Sequence, residues 1–377
     1  MKRFTAIVLS AAMLAMSLSG CASSGSSAGT AGANTMAESS AETAGETKET
    51  QAESVQADAG QSADAVSGAS ANQPSDQGDV EAQAAELVYQ NENGETVVSH
   101  KYGETIMPEN PQRIVCIKME DIALALGVEN LVACRNFETF YLEDEVNALG
   151  VGTISVDEEA NTINFEQVLS YEPDLIIIRD SFEQSIYDEL SKIAPTIAFR
   201  LQAPQVAMLA MGRALGIEDR AKERLQQYYD KIASAKEALQ DVAGEEVAML
   251  RILQKEIRLY PYSSNDMSSF LYLDLGLTPD PMAVEYDNAD SLAISMETLP
   301  DLTAKHIFLI AGYGSQTAEA VEAAKQRYEE IKADPLWQAV PAVQSSSIYE
   351  VDSRTWLTHG IIATEMRIDQ VLDYLGQ

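Results

Sequence analysis

Covalent chemistry has few footholds in this 377-residue chain. Its three histidines, His100, His306 and His359, lie far apart, and its three cysteines are Cys21, Cys116 and Cys134. No cysteine pairs with a plausible catalytic histidine, and no Gly-x-Ser-x-Gly elbow or Gly-x-x-x-x-Gly-Lys loop occurs. The scattered imidazoles form no cluster of the kind a zinc or nickel site uses. No catalytic residue, resident metal or cofactor is therefore expected. Binding chemistry is better represented. Bases and aromatic rings stand where strand-like runs end: Lys118 and Met119, Arg135, Arg179 and Arg200 in the first half, then Tyr260, Tyr262, Asn265, Tyr313, Arg354 and Trp356. Guanidinium groups offer planar forks of donors to an oxygen-rich ligand. Aromatic rings pack on its apolar parts and attract any cation it carries.

The runs that must position these residues alternate between strand and helix. Arg113–Ile117 and Asn130–Cys134 read as β-branched or apolar strands around a helix that Gly127 ends; Leu175–Ile178 and Thr196–Phe199 follow, each separated by helical segments. Strands with fully apolar centres imply a parallel sheet covered on both faces. Cys116 and Cys134 fall on successive strands and read as small buried hydrophobes, with a disulfide between them left open. From about Pro204 to Gln240 the pattern is helical; Leu225, Tyr228, Ile232, Ala235 and Leu239 recur at three- and four-residue steps, which predicts a stiff rod between two lobes. Alternation then resumes through Val247–Leu253, Ile307–Ile310 and Ile348–Val351 to a closing helix near 360–375. One internal echo links the halves. Glu166 and Glu297 each sit in the first turn of a helix that precedes a buried strand.

Composition separates this body from what precedes it. Of 25 aromatic residues, Phe4 lies in residues 1–20 and the other 24 lie after residue 86. Residues 21–86, with 11 acids against Lys48, cannot bury enough apolar surface to offset their ordering entropy and read as a disordered, self-extending linker. Lys2-Arg3 followed by an apolar run reads as a secretory signal, too short for a membrane span. Leu18-Ser19-Gly20-Cys21 resembles the bacterial lipobox, which implies cleavage before residue 21 and lipidation of Cys21. The expected division is 1–20 signal, 21–86 linker, 87–203 first α/β lobe, 204–243 helical connector and 244–377 second α/β lobe. The formal charge is −34 for the chain and −26 for residues 87–377, which excludes a basic nucleic-acid binder.

Several ordered strings carry a family resemblance. Pro111-Gln112-Arg113-Ile114-Val115, Asn164-Phe165-Glu166 with Glu172-Pro173-Asp174-Leu175, and Ile193-Ala194-Pro195-Thr196 resemble the amino-terminal lobe of the iron-siderophore/vitamin B12 family of ABC-transporter substrate-binding proteins. Tyr272-Leu273-Asp274-Leu275-Gly276, Ile294-Ser295-Met296-Glu297, Asp334-Pro335-Leu336-Trp337 and Ile348-Tyr349-Glu350-Val351-Asp352 with Trp356 resemble its carboxy-terminal lobe. The resemblance covers roughly 108–375. It implies two Rossmann-like lobes joined by a single long α-helix, the class III arrangement, with a ligand cleft between them and only modest closure. It also implies that Glu166 and Glu297 meet arginines of the membrane permease.

On that resemblance the ligand is a ferric siderophore, most like the hydroxamate or mixed-carboxylate branch, held by the strand-end residues where open α/β sheets present their crevice. Haem is the alternative, with His359, Tyr313 or Met119 as axial ligand; cobalamin is the third choice. Trp356 is placed in the cleft and Trp337 in the packing. The expected protein is a monomer outside the cytoplasm, anchored to the membrane by lipid on Cys21, with permease subunits as partners and no enzyme activity.

Overall fold

A computed structural model describes residues 77–138, 140–157, 160–312 and 318–376. Cys21 and Tyr313 lie outside the described residues.

The first lobe is built on a five-stranded parallel sheet in the order Thr196–Phe199, Leu175–Arg179, Ile114–Ile117, Leu131–Arg135, Gly152–Ile154. The centres of its inner strands are apolar because both faces are covered. Cys116, Leu175 and Ile177 face one core, while Val115, Ile117, Ile176 and Ile178 face the other. Cys116 and Cys134 are register neighbours, both buried and both free. The helix Glu120–Leu126 ends as expected at Gly127, whose φ of 63° lets its N–H close the last turn. A small antiparallel sheet of Val88–Gln90, Thr96–His100 and Gly103–Ile106 docks on this lobe, with the Thr105 hydroxyl donating to Thr196 O at 2.8 Å.

The linker boundary differs from the expected residue 86. Gln77–Leu87 is a helix, and its Val80 and Ala84 are fully buried in the first-lobe core. An i, i+4 pair of small apolar residues needs no aromatic partner when it docks on a core that already exists.

The connector is two helices, Pro204–Ala214 and Glu218–Ala238, broken around Gly216, whose φ is 71°. They pack closely where Gly212 faces Ala221; a Cβ there would lie 2.5 Å from the alanine methyl. The long helix joins the lobes by sharing its apolar stripe. Ala221, Leu225 and Tyr228 belong to the first-lobe core and Ala235 to the second, with Ile232 packed against both. The closing helix Ile361–Leu375 does the same through Ile361 on one side and Ile368, Val371 and Leu375 on the other. Arg224 with Glu365 at 2.6 Å and Lys231 with Asp369 at 2.7 Å tie the two helices side by side.

The second lobe carries a mixed sheet. Glu246–Ile252 pairs in parallel with His306–Ala311, which pairs in parallel with Ile348–Glu350. On the other side Ile257–Leu259 and Leu292–Ile294 run antiparallel. The turn around Glu297 is a 3-10 helix, Met296–Asp301, with Pro300 inside it, where the internal echo predicts an ordinary helix.

Candidate ligand cleft between the lobes

The first lobe brings its expected bases together. Because all five strands are parallel, their carboxyl ends share one edge, and Arg200, Arg179, Lys118 and Arg135 stand along it in that order. Lys118 has a left-handed backbone, φ 62°, at the sharp exit from its strand. Its ammonium lies 2.9 Å from Asn161 Oδ1 and 5.2 Å from the centre of the Phe182 ring. The Arg135 guanidinium is clasped by Phe137 and Phe140, with 5.3 and 4.6 Å to the ring centres. Behind both bases sits Glu120, fully buried. Its Oε1 accepts the backbone N–H groups of Lys118 and Arg135 at 2.9 and 3.0 Å, and its Oε2 lies 3.6 Å from Arg135 Nε. Burial pushes the Glu120 carboxyl up, opposed by the charge of Arg135 and these backbone donors.

Sequence reasoning missed one contributor to this edge. The tip of the 96–106 hairpin reaches it: Tyr102 donates its hydroxyl to Phe182 O at 2.7 Å and stacks on Tyr187 at 4.5 Å. Lys101, at the same tip, joins Arg179 and Arg200 in stabilising the charge of Asp180, whose carboxyl burial pushes up. No local signal could reveal a contact that spans 80 residues.

Of the expected second-lobe residues, Arg354 lines a cavity shared with the first lobe, one that Arg200, Arg179, Lys118 and Arg135 do not line. A cavity of about 460 Å³ is lined by Phe140, Tyr141 and Glu143 on one side and Asp352, Arg354 and Thr355 on the other. There Arg354 is forked onto Asp352, Nε to Oδ2 at 2.8 Å and Nη2 to Oδ2 at 2.5 Å. That bond raises the guanidinium pKa further, although burial opposes it.

Three other second-lobe candidates, Trp356, Tyr260 and Asn265, are corrected, and so is Met119 of the first lobe. Trp356 is fully buried, stacked on Phe308 at 4.9 Å, with its indole N–H donating to Gln370 Oε1 at 2.8 Å. Met119 is likewise fully buried in the first-lobe core, and Tyr260 in that of the second lobe. Asn265 caps a helix turn, accepting from Met267 N at 2.8 Å and donating to Asp290 O at 2.9 Å. The common reason for Tyr260 and Asn265 is strand direction. Ile257–Leu259 runs against Glu246–Ile252, so residues 260–265 leave the sheet at the end away from Gly312. Tyr262 stays half-buried beside Tyr272, 5.9 Å between ring centres. Trp337 packs edge-on to Tyr328, as the sequence predicts. Of the axial ligands named for haem, Met119 is buried and His359 engages Asp266 through Nδ1 at 2.5 Å, while Tyr313 lies outside the described residues.

The lobes meet at a buried carboxylate. Asp121 accepts the N–H groups of Ile362 and Ala363 at 3.1 and 3.0 Å and the Tyr141 hydroxyl at 2.9 Å. A first-lobe side chain thus caps the closing helix. Glu166 and Glu297 are both exposed, each after a short strand and before a buried one.

Residues 118–355 match the family described as periplasmic binding protein. The chain belongs to the periplasmic binding protein family. This periplasmic binding protein is 27% identical over 292 residues to the Bacillus subtilis protein named "Probable siderophore-binding lipoprotein YfiY", covering 74% of this chain and 86% of that one. It is 26% identical over 285 residues to the Fe(3+)-citrate-binding protein YfmC of the same organism, covering 73% and 84%. Among solved structures, Staphylococcus aureus SirA complexed with staphyloferrin B superposes with a TM-score of 0.60 at 24% identity, over 74% of this chain and 99% of that one. The two-lobed class III fold is thereby shared. Family members are substrate-binding proteins of transporters and not enzymes, and relatives named as lipoproteins and periplasmic proteins imply a place outside the cytoplasm. Among the described residues no helix is long and apolar enough to cross a membrane.

Proposed function

We propose that this periplasmic binding protein captures a ferric siderophore of the hydroxamate or mixed-carboxylate type between its lobes and delivers it to the permease of an ABC importer, as a monomer held at the membrane by lipid on Cys21. The observation that carries the ligand assignment is the row Arg200, Arg179, Lys118, Arg135 on one sheet edge. Four bases so close together stand out in a body whose net charge is −26. Their donors suit the oxygen shell of a ferric chelate. The names of relatives that bind siderophores and ferric citrate support the same class of cargo.

Calorimetric titration of the folded body with ferric dicitrate, ferrichrome, a ferric tricatecholate, haem and cobalamin tests this reading. Saturable binding of the citrate or hydroxamate complex is expected, weakened about 10- to 100-fold by Arg179→Ala, the loss of a charge-assisted contact. No saturable binding of any ferric complex overturns the reading.

A further inference from the structure

The most buried charge at the cleft is one that no ligand could touch. Glu120 is 1% exposed, yet it reaches both of the central bases, holding the backbone of Lys118 and Arg135 with Oε1 and facing the guanidinium of Arg135 with Oε2 at 3.6 Å. The two backbone bonds end on a single oxygen, so an uncharged amide could make them equally well. They account for an acceptor at this place and not for a negative charge. A buried carboxylate carries a desolvation cost that an amide avoids. What the charge alone can do is oppose the field of Arg135, whose guanidinium lies between the rings of Phe137 and Phe140.

We propose that Glu120 is a positioning and specificity residue: its carboxylate lowers the positive charge that Lys118 and Arg135 present, and so sets which net charge of ferric chelate the cleft prefers. The inference rests on the transport reading above. With Glu120 ionised, the pair of bases and the acid sum to one positive charge; without it they present two. A ferric trihydroxamate, three anionic groups around one ferric ion, has an uncharged coordination centre and is indifferent to that change. An anionic ferric citrate complex is not, because charges a few ångströms apart in a partly dry site interact strongly. Glu120 thus holds the cleft back from the most anionic chelates while keeping its bases rigidly aimed.

The test is the ratio of affinities for ferric dicitrate and ferrichrome, measured by calorimetry on wild type and Glu120→Gln, a complex below detection entering at the detection limit. The glutamine keeps an acceptor for both N–H groups and removes the charge. The ratio is expected to rise about tenfold in favour of ferric dicitrate, and the rise to vanish when Arg135→Gln is added. A purely structural role would weaken both complexes alike; an unchanged ratio, or one shifted towards ferrichrome, overturns the proposal. Should Glu120→Gln fail to fold, Arg135→Gln alone, which leaves the Glu120 charge unopposed, is expected to lower the ratio at least tenfold, and an equal loss for both complexes overturns it. If wild type binds neither complex, this inference fails, and the transport reading fails with it only when no other ferric complex binds either.

Discussion

Single side chains show where residue type is a poor guide to role. Trp356 carries the aromatic surface that a ligand would use, yet it spends it on Phe308, Phe270 and a bond to Gln370. Trp356→Phe should therefore cost stability, about 1–3 kcal/mol from lost packing and an orphaned acceptor, and leave ligand affinity as it was. Parallel denaturant melts and titrations check this; a large affinity loss at unchanged stability would return Trp356 to the cleft. Asp274 makes a pH prediction. Burial pushes its carboxyl up to about 6 against the attraction of Arg367 and Lys236. In the unfolded chain it titrates near 3.8. Above pH 6 the folded state therefore holds a charge that burial disfavours, worth up to about 3 kcal/mol. As pH falls from 6 to 4 the folded state takes up the proton first, and that penalty disappears. Asp274→Asn should accordingly be more stable than wild type at pH 8, with the gap closing between pH 6 and pH 4. Unfolding free energies across that range decide it, and a gap that does not depend on pH refutes the assignment.

At the scale of elements, the molecule depends on how two helices span two cores. The closing helix starts against Asp121, and the chain reaches that point through Gly360 with φ 144°, where a Cβ would lie 2.3 Å from the Asp121 carboxyl carbon. Gly360→Ala meets both a forbidden backbone region and the carboxylate itself, so a loss of about 3 kcal/mol or more is expected in a thermal or chemical melt. Asp121→Asn keeps part of the cap and should cost less. The helix Gln77–Leu87 makes a separate point about what counts as linker. Val80→Asp would bury a charge in the first-lobe core and should destabilise that lobe, whereas a wholly disordered linker would tolerate the change. Much of this level is readable from the chain: glycine-ended helices, apolar parallel strands and the helical stripe from Leu225 to Leu239 all form where expected. Strand direction is not readable. Three apolar residues, Ile257–Leu259, fit either orientation, and only pairing with Glu246–Ile252 and Leu292–Ile294 sets it antiparallel.

For the whole molecule the relevant distances are between lobes. Glu166 and Glu297 are exposed, one on each lobe. Replacing both by alanine should leave ferric-complex affinity intact and abolish uptake in cells; normal uptake by the double variant would remove the docking role. Arg135, Arg179 and Arg200 could be placed on one edge from their position at strand ends, because parallel strands present their carboxyl ends together, whereas the docking role of Glu166 and Glu297 comes from the family resemblance. Alternation of apolar runs was enough to establish two α/β lobes and a helical connector, whereas composition placed the start of the body too late, because the helix Gln77–Leu87 joins the first-lobe core without aromatic residues. Glu120, Asp121 and the Lys101 hairpin lie beyond that reach. Their roles come from contacts across 15, 241 and about 80 residues, and a side chain's burial, partner and pKa are properties of the space it folds into and not of its neighbours in the chain.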